Sequence, residues 1–412
     1  MRLHATEEPM KKHLALLLVI ALVLGALPAM TSAQETPTLL IWADETRAAV
    51  IEELGAAFEE EYGVDLVVQQ LGFGDIRDQL RIAGPAGEGP DIIIGAHDWV
   101  GELVTNGLLA PIDLGDRVEE FAPVAITAFS WEGELYGVPY AVENVGFFYN
   151  TELVPTPPAT WDEVVEVSKA LMAEGKAKYG FIRQEGDPYH FYPIQTAFGG
   201  YIFGLTEEGD YNAEDVGVDN EGSIAALKWL QGLIKEGLIP SGLDGGAAEA
   251  LFQDGEAAMY ITGPWNIQRF LDAGVPFDIA PIPAGPGGPG RPFIGAQAFM
   301  VSAFSQNPLL AQAFLTEWVA SEETQLALYE KGNRAPALLS AQAKVEDPYL
   351  AALAVAAEAG QPMPGIPAMS AVWSAWTDAI TLAMQNPDAD AAELAAKAAE
   401  TIRAAAAESA AQ

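Results

Sequence analysis

The chain has 412 residues, 50% of them hydrophobic, and its 58 Asp and Glu residues outnumber its 20 Lys and Arg residues to give a formal net charge of −38. This acidity argues against nucleic acid and anionic membrane surfaces as partners, because both are bound through clustered Lys and Arg. The chain has no cysteine, so disulfides, thiolate metal ligands, a thiol nucleophile and the cysteine-linked anchor of a lipoprotein are not expected.

The first 33 residues have the pattern of a secretory signal peptide. Lys11, Lys12 and His13 precede an apolar run at residues 14–27, and small residues follow up to Ala33. The apolar run is short for a membrane span, and Met10 is a second possible start of translation. We therefore expect residues 1–33 to be removed and the mature chain to be a monomer in the periplasm or another extracytoplasmic space.

After residue 37 the chain alternates between β-rich and helical patterns. Four segments follow one another: an apolar strand at 38–43, a helical pattern at 46–61, a β-rich segment at 64–68 and a second apolar strand at 91–96. This order predicts a parallel α/β sheet, in which ligands bind at the carboxyl ends of the strands. The rule points to the turns at 43–47 and 96–99.

The next apolar region contains a carboxylate. Glu143 lies in the middle of residues 133–150, and a buried carboxylate is costly unless it is paired or hydrogen-bonded. Residues 181–203 hold a dense aromatic cluster, residues 220–240 predict an amphipathic helix, and the last hundred residues are mostly helical. A mature chain of about 380 residues is typical of two domains.

Residue types typical of catalytic and metal sites are scarce. Outside the leader the only histidines are His97 and His190, which lack ligand spacing, so neither a metal site nor a cofactor is predicted. The sequence has no G-x-S-x-G elbow and no Gly-rich phosphate loop ending in Lys-Ser/Thr. Acidic residues are plentiful, which leaves open a glycosidase with paired carboxylates.

Tryptophans at turns indicate a different function. Trp265 follows Gly-Pro directly after an apolar strand pattern, and Trp373 follows a stretch interrupted by proline. Because aromatic faces pack on the C–H faces of pyranose rings, both residues are candidates for a sugar platform, with packing in the core as the alternative. Trp161, Trp229 and Trp318 instead have apolar neighbours at helical spacing, so we expect them in the core.

Six segments resemble, in order and over about residues 39–403, the extracellular solute-binding proteins of ABC importers, specifically the maltose/maltodextrin-binding branch. The segments are GPDIIIGAHDW, YAVENVGFFYNTELVPTPPATWDEV, DVGVDNEGSIAALKWL, FQDGEAAMYITGPWNI, PFIGAQAFMVS and MPGIPAMSAVWSAW. The resemblance implies an α/β fold of the periplasmic binding protein type II-like class, with two lobes joined by hinge crossings and a ligand cleft between them. Lobe 1 is then expected at 38–142 and 293–342 and lobe 2 at 146–292 and 347–409, with crossings near 142–146, 290–294 and 343–347.

The resemblance also assigns sugar-binding residues at the matching positions of its motifs. They are Asp44, Glu45, Arg47, Asp98 and Trp99 in lobe 1, Glu143 at the hinge, and Asp187, Tyr189, Trp265 and Trp373 in lobe 2. Trp99 stands where the best-known member has an arginine, so its implied role is stacking. Gly95, Gly245 and Thr377 replace a tryptophan, a tyrosine and an arginine of the family, and these departures leave the sugar and its chain length open.

The implied function is that of a receptor, without catalysis, for maltose- or maltodextrin-type oligosaccharides, which it delivers to the membrane permease subunits of an ABC importer. A receptor for another di- or oligosaccharide is the first alternative. The second alternative is a secreted glycosidase that uses two of Asp98, Glu143 and Asp187.

Overall fold

Strands and helices alternate through the part of the chain that a computed structural model describes, residues 36–207 and 209–409. The predicted signal peptide lies outside these residues. Within them, no helix is both long enough and apolar enough to cross a membrane.

The strands are distributed along almost the whole described chain. They are β1 (Thr38–Ala43), β2 (Asp65–Gln70), β3 (Ile92–Ala96), β4 (Ser130–Trp131), β5 (Glu134–Leu135), β6 (Val138–Glu143), β7 (Gly146–Asn150), β8 (Tyr179–Ile182), β9 (Phe203–Leu205), β10 (Tyr211–Val216), β11 (Ala257–Thr262), β12 (Phe277–Ala280), β13 (Phe293–Val301), β14 (Ala335–Pro336) and β15 (Gln361–Pro362).

The helices connect these strands and dominate the last hundred residues, as predicted. They are α1 (Ala48–Tyr62), α2 (Phe73–Ala86), α3 (Val100–Thr105), α4 (Pro123–Ala128), α5 (Trp161–Ala173), α6 (Pro188–Ala197), α7 (Glu221–Lys235), α8 (Gly245–Gln253), α9 (Ile267–Asp272), α10 (Pro308–Ala313), α11 (Glu322–Gly332), α12 (Leu339–Gln342), α13 (Pro348–Ala357), α14 (Met369–Gln385) and α15 (Ala391–Ser409). Short 3-10 helices cover His97–Trp99, Gly115–Glu120 and Pro264–Asn266, and a π-helix covers Phe314–Val319.

The larger sheet is built around the parallel strands that the sequence predicts. Its order is β14-β6-β13-β3-β1-β2, with β15 beside β13. β1 runs parallel to β2 and to β3, which confirms the parallel α/β pattern of this region, whereas β13 is antiparallel to β3 and to β6. Because β1 and β3 are parallel neighbours, the turns that follow them lie side by side at one edge of the sheet.

The smaller sheet has the order β12-β7-β11-β8. β7 is antiparallel to β11 and to β12, and β11 is parallel to β8. The chain passes from the larger to the smaller sheet between Glu143 and Gly146, and returns between Ala280 and Phe293. Two sheets with helices between their strands confirm the α/β class, while the lobe boundaries stay a prediction.

Capping residues set where the helices that carry candidate site residues begin. The side chain of Asp187 accepts a hydrogen bond from the backbone N–H of Tyr189 at 2.7 Å, and Pro188 occupies the first position of α6, where a missing N–H costs nothing. α14 begins at Met369, after the proline-interrupted segment, and this start places Trp373 in its second turn.

The three tryptophans that were expected in the core lie in aromatic clusters. Trp161 is buried between Phe147 and Phe181. Trp229 packs against Trp161 with 5.1 Å between ring centroids, and Trp318 packs against Phe314 with 4.5 Å. The core prediction is confirmed for Trp161, whereas Trp229 and Trp318 are partly buried and pack against the edge of the core.

Candidate functional site

The turn after β1 is organised by a buried ion pair. Asp44 accepts hydrogen bonds from the backbone N–H and the hydroxyl of Thr46, at 2.8 and 2.7 Å, and it pairs with Arg47. Arg47 also donates to the hydroxyl of Tyr140 and lies 5.2 Å from the ring centroid of Phe73. Asp44 and Arg47 are therefore held by protein groups, while Glu45 is exposed; sugar contacts of these three residues stay a prediction.

Asp98 and Trp373 meet at the turn after β3. The indole N–H of Trp373 donates to Oδ2 of Asp98 at 2.7 Å. Oδ1 of Asp98 is buried and accepts no hydrogen bond from the described residues. Burial raises the pKa of Asp98, against the opposing effects of His97 and the indole N–H. Asp98 thus has one oxygen free to accept a hydrogen bond from a ligand.

Trp99, the residue after Asp98, is buried against the preceding strand β3. Its ring lies 4.8 Å from the ring of Phe73 and covers Gly95 so closely that a Cβ at that glycine would lie 2.0 Å from the indole. The glycine at position 95 is thus required by the close approach of Trp99. The predicted stacking of Trp99 on sugar stays a prediction.

Glu143 ends β6 with both of its oxygens engaged. Arg334 donates through Nε to Oε2 at 2.6 Å, and the amide of Gln297 donates to Oε1 at 2.7 Å. Burial by itself raises the pKa of Glu143, but the charges of Arg334 and Arg47 and the Gln297 hydrogen bond outweigh burial and hold this pKa below its ordinary value. Glu143 is therefore ionised at neutral pH, as a buried carboxylate with partners should be.

Asp187 and the residues that follow it form the start of α6. Oδ2 of Asp187 lies 2.6 Å from Nδ1 of His190 and also accepts from Gln184. The ring of Tyr189 lies 6.3 Å from that of Phe293 in β13, and its hydroxyl is buried without a partner in the described chain. Burial and the charges of Glu143 and Asp187 raise the pKa of Tyr189 well above its ordinary value, so the hydroxyl stays protonated.

Trp265 is placed by the tight turn that follows β11. Its ring covers Gly263, where a Cβ would lie 2.2 Å from the indole. It is half-buried beside Tyr189 at 6.4 Å and His190 at 5.7 Å, and the guanidinium of Arg334 lies 5.7 Å from its centroid. Trp265 therefore contacts Tyr189 and His190 on one side and the Arg334–Glu143 pair of the larger sheet on the other.

These contacts bring most of the predicted site residues into two connected groups. One group contains Asp98 and Trp373, and the other contains Glu143, Asp187, Tyr189 and Trp265. Asp44 and Arg47 adjoin the second group through Thr46, whose hydroxyl lies 3.5 Å from Arg334. Glu45 and Trp99 belong to neither group, because the side chain of Glu45 is exposed and Trp99 packs on Phe73 and Gly95.

Three polar residues of the site were not predicted from the sequence. They are Arg334, Gln297 and His190. Gln297 carried a usable signal, since it is the one polar side chain in the apolar run of β13, FIGAQAFMV. Arg334 and His190 carried none, because an arginine after a Gly-Asn turn and a histidine among aromatic residues are ordinary surface and core patterns.

The two histidines of the described chain have separate partners. His97 accepts the backbone N–H of Ala296 through Nδ1 at 3.1 Å and donates from Nε2 to the carbonyl of Met363 at 2.9 Å, whereas His190 pairs with Asp187. The described residues contain no group of three or more His, Asp and Glu side chains that could hold a metal ion.

The site combines aromatic faces with buried polar atoms that no described residue satisfies. These atoms are Oδ1 of Asp98, the hydroxyl of Tyr189, Nε2 of His190 and Oε1 of Gln297. A buried polar atom without a partner costs about 1–3 kcal/mol, so a ligand that supplies several hydroxyl groups relieves several costs at once. The arrangement is suited to bind a molecule with both hydroxyl groups and apolar ring faces.

Comparison with known proteins gives a consistent picture. Residues 53–357 match the family described as bacterial extracellular solute-binding protein. A galactooligosaccharide-binding protein of Bacillus subtilis is 34% identical over 357 residues, which cover 83% of this chain and 83% of the relative. A maltotriose-binding protein of Pyrococcus abyssi is 32% identical, with 79% and 72% covered, and a maltodextrin-binding protein of Bacillus subtilis is 28% identical, with 89% and 90% covered.

Proposed function

The chain belongs to the bacterial extracellular solute-binding proteins, and from that premise we propose that it is a receptor for oligosaccharides. The ligand lies between the larger and the smaller sheet. Its sugar rings pack on Trp265 and Trp373, and Asp98, Tyr189 and Glu143 surround it. The observation that carries this proposal is a set of buried polar atoms around these two tryptophans that have no hydrogen-bond partner among the described residues. Hydroxyl groups of a sugar are donors and acceptors of the kind that such atoms require.

For the sugar itself we propose an oligosaccharide of the maltose or maltodextrin type. The relatives named for maltotriose and maltodextrin support this choice. A galactooligosaccharide is the second candidate, because a relative named for binding it is 34% identical to this chain. Both candidates are neutral and rich in hydroxyl groups, which suits a site whose carboxylates already have partners.

The receptor acts outside the cytoplasm as a monomer and hands its sugar to the permease of an ABC importer. In this proposal the lobes at 38–142 with 293–342 and at 146–292 with 347–409 close on the sugar. The strand pairing supports such a division, because these segments contribute mainly to different sheets. Closure is then the signal that the permease reads.

Binding without catalysis is favoured over hydrolysis by the state of the carboxylates. A glycosidase needs a protonated carboxyl and a second carboxylate free to reach the scissile bond or a water. The pKa values of Glu143 and Asp187 are both lowered, and both side chains already accept hydrogen bonds from protein donors. Neither is therefore suited to act as the general acid. Because their oxygens are engaged, neither is free to act as the second carboxylate beside Asp98, whose pKa is raised by burial.

Titration of the tryptophan fluorescence of the mature chain tests the proposal. The panel is maltose, maltotriose, maltotetraose and galactotriose, with the monosaccharides glucose and galactose for comparison. We expect saturable changes with at least one oligosaccharide, because closure shields Trp265 and Trp373. The absence of binding across the panel contradicts the proposal. A continuing increase of reducing ends when the protein is incubated with an oligosaccharide would identify a glycosidase instead.

A further inference from the structure

The side chains of Gln297 and His190 each use one polar atom to contact a carboxylate and leave the other polar atom without a described partner. Nε2 of Gln297 donates to Oε1 of Glu143 at 2.7 Å, and Nδ1 of His190 lies 2.6 Å from Oδ2 of Asp187. The second polar atom of each, Oε1 of Gln297 and Nε2 of His190, is buried and has no partner within the described chain. Both side chains are about nineteen-twentieths buried, at 5% exposure each. Each therefore has one atom held by a carboxylate and one atom left over.

The carboxylates determine which atom is left over. If the amide of Gln297 were reversed, its carbonyl oxygen would face Glu143, and two acceptors would repel each other. Arg334 holds Glu143 ionised, so Oε1 of Gln297 points away from it as an acceptor. In the same way, the ionised Asp187, whose pKa is lowered to about 2, requires a proton on Nδ1 of His190. Nε2 is then the ring atom left to face away from Asp187, an acceptor on a neutral ring and a donor on a protonated one.

These two remaining atoms belong to opposite sides of the site. Gln297 pairs in register with Ala96, two residues before Asp98, and so lies on the larger sheet. His190 lies on α6, with its ring edge-on to Trp265 at 5.7 Å and 82°. The set of unpartnered atoms that carries the proposed function thus includes one amide and one imidazole beside the residues named by resemblance.

From this geometry we infer that Gln297 and His190 contact the sugar directly, and that Glu143 and Asp187 are positioning residues that act through them. The inference rests on the proposed function and refines its ligand, which must present a hydroxyl hydrogen to Oε1 of Gln297 and a hydroxyl group to Nε2 of His190. A sugar without a hydroxyl group at either place leaves a polar atom buried and unsatisfied, which is how polar sites reject such analogues.

Two double-mutant cycles test the inference, with affinity measured by calorimetry for the sugars of the panel above. One cycle combines Gln297→Leu with Glu143→Gln, and the other combines His190→Leu with Asp187→Asn. We expect each leucine variant to bind about tenfold more weakly, the effect of one lost hydrogen bond. In the leucine backgrounds, changing the carboxylate should cause no further loss, because the group through which it acts is gone.

A matched control and a conservative variant separate binding from folding. Gln325 is also fully buried, but its amide bonds the carbonyl groups of Pro139 and Val319 and the N–H of Leu338. Gln325→Leu should therefore lower the melting temperature and leave affinity unchanged. His190→Gln should retain more affinity than His190→Leu, since an amide can donate to Asp187 and still offer an acceptor.

The possible results lead to different conclusions. Losses that add to about a hundredfold in the double variants overturn the inference, because the carboxylates then contact sugar themselves. Wild-type affinity in folded Gln297→Leu and His190→Leu overturns it as well, while the proposed function stands. If the wild-type protein binds no sugar of the panel, the proposed function fails and the inference fails with it.

Discussion

The indole N–H of Trp373 donates to Oδ2 of Asp98 at 2.7 Å, across 275 residues of sequence. The bond joins α14 to the turn after β3 and leaves the other oxygen of Asp98 without a partner among the described residues. A candidate stacking platform and a candidate hydroxyl acceptor are therefore oriented by each other. Sugar binding should depend on the hydrogen bond as well as on the aromatic face.

Substituting Trp373 by Phe and by Ala separates these two contributions. Trp373→Phe keeps an aromatic face but loses the donor to a charged group, so we expect affinity to fall by about 1.5–3 kcal/mol. Trp373→Ala loses both and should fall further, within the range of about 1–4 kcal/mol or more found for buried aromatic anchors. Calorimetry measures both. Trp318→Phe is the control, because Trp318 is also partly buried and packs against Phe314. Equal affinity of Trp373→Phe and wild type would contradict the prediction.

Asp98→Asn should weaken sugar binding without destabilising the unliganded protein. Because burial raises the pKa of Asp98, the folded state binds a proton more tightly than the unfolded state. Neutral Asp98 therefore stabilises the folded wild type at low pH. This contribution is lost as the pH rises through the folded pKa and Asp98 becomes charged. The neutral Asn avoids that loss, so we expect unchanged or higher stability at pH 7 and an affinity lower by about 1.5–3 kcal/mol.

Chemical denaturation with and without sugar tests the Asp98 prediction. Wild type and Asp98→Asn are both measured at several pH values from mildly acidic to neutral. The stability difference between them should shrink toward acidic pH, because Asp98 becomes neutral in the wild type. If Asp98→Asn unfolds at a clearly lower denaturant concentration than wild type in the absence of sugar, Asp98 is a structural partner of Trp373 and not a sugar contact.

Gly263→Ala should displace Trp265. The added Cβ would lie 2.2 Å from the indole, and because Gly263 has a φ of −123°, alanine is acceptable to the backbone and the effect is purely steric. We expect a stability loss of about 1–3 kcal/mol, typical of overpacking, together with weaker sugar binding. Gly232→Ala is the control: it lies in α7 with no atom within 4 Å of an added Cβ, so it should stabilise by roughly 0.4–1 kcal/mol. Wild-type affinity of Gly263→Ala would mean that the position of Trp265 is unimportant for binding.

Much of the fold was predictable because its signals are local. The strand at 38–43 and the helix starting near residue 48 follow from apolar spacing, and their order implies parallel pairing through the connecting helix. β13 was harder, because its antiparallel place between β3 and β6 depends on pairing with residues about 150 to 200 positions away. No local pattern encodes such a partner.

The site was predictable for residues at turns and less so for polar groups inside strands and loops. Trp265 and Trp373 could be proposed as site residues because a proline-bearing turn marks the start of an element. Arg334 was missed because its importance comes from Glu143, 191 residues away in sequence. The direct role assigned by resemblance to Glu143 and Asp187 likewise ignores neighbours, Gln297 and His190, whose contacts are visible only in three dimensions.

Asp187 should contribute to stability at neutral pH and lose this contribution in acid. Burial acts to raise the pKa of this carboxyl, but the charge and hydrogen bond of His190, the charge of Arg183 and the N–H of Tyr189 lower it from 3.8 to about 2. A carboxyl whose folded pKa is depressed stabilises the folded state above its unfolded pKa, and this contribution is lost as the pH falls through the folded value. The difference in pKa corresponds to a contribution on the order of 2 kcal/mol at neutral pH.

Asp187→Asn keeps the cap, since an Asn side chain also accepts from the N–H of Tyr189, but it removes the charge. We therefore expect the variant to be less stable than wild type at pH 7 by on the order of 2 kcal/mol, and the difference to diminish between pH values near 3.8 and 2, the window set by the two pKa values. Denaturant unfolding across this range measures it, with Asp65→Asn at an exposed strand position as the control. A difference that persists undiminished at pH 2 would show that Asp187 stabilises α6 through geometry alone and not through its charge.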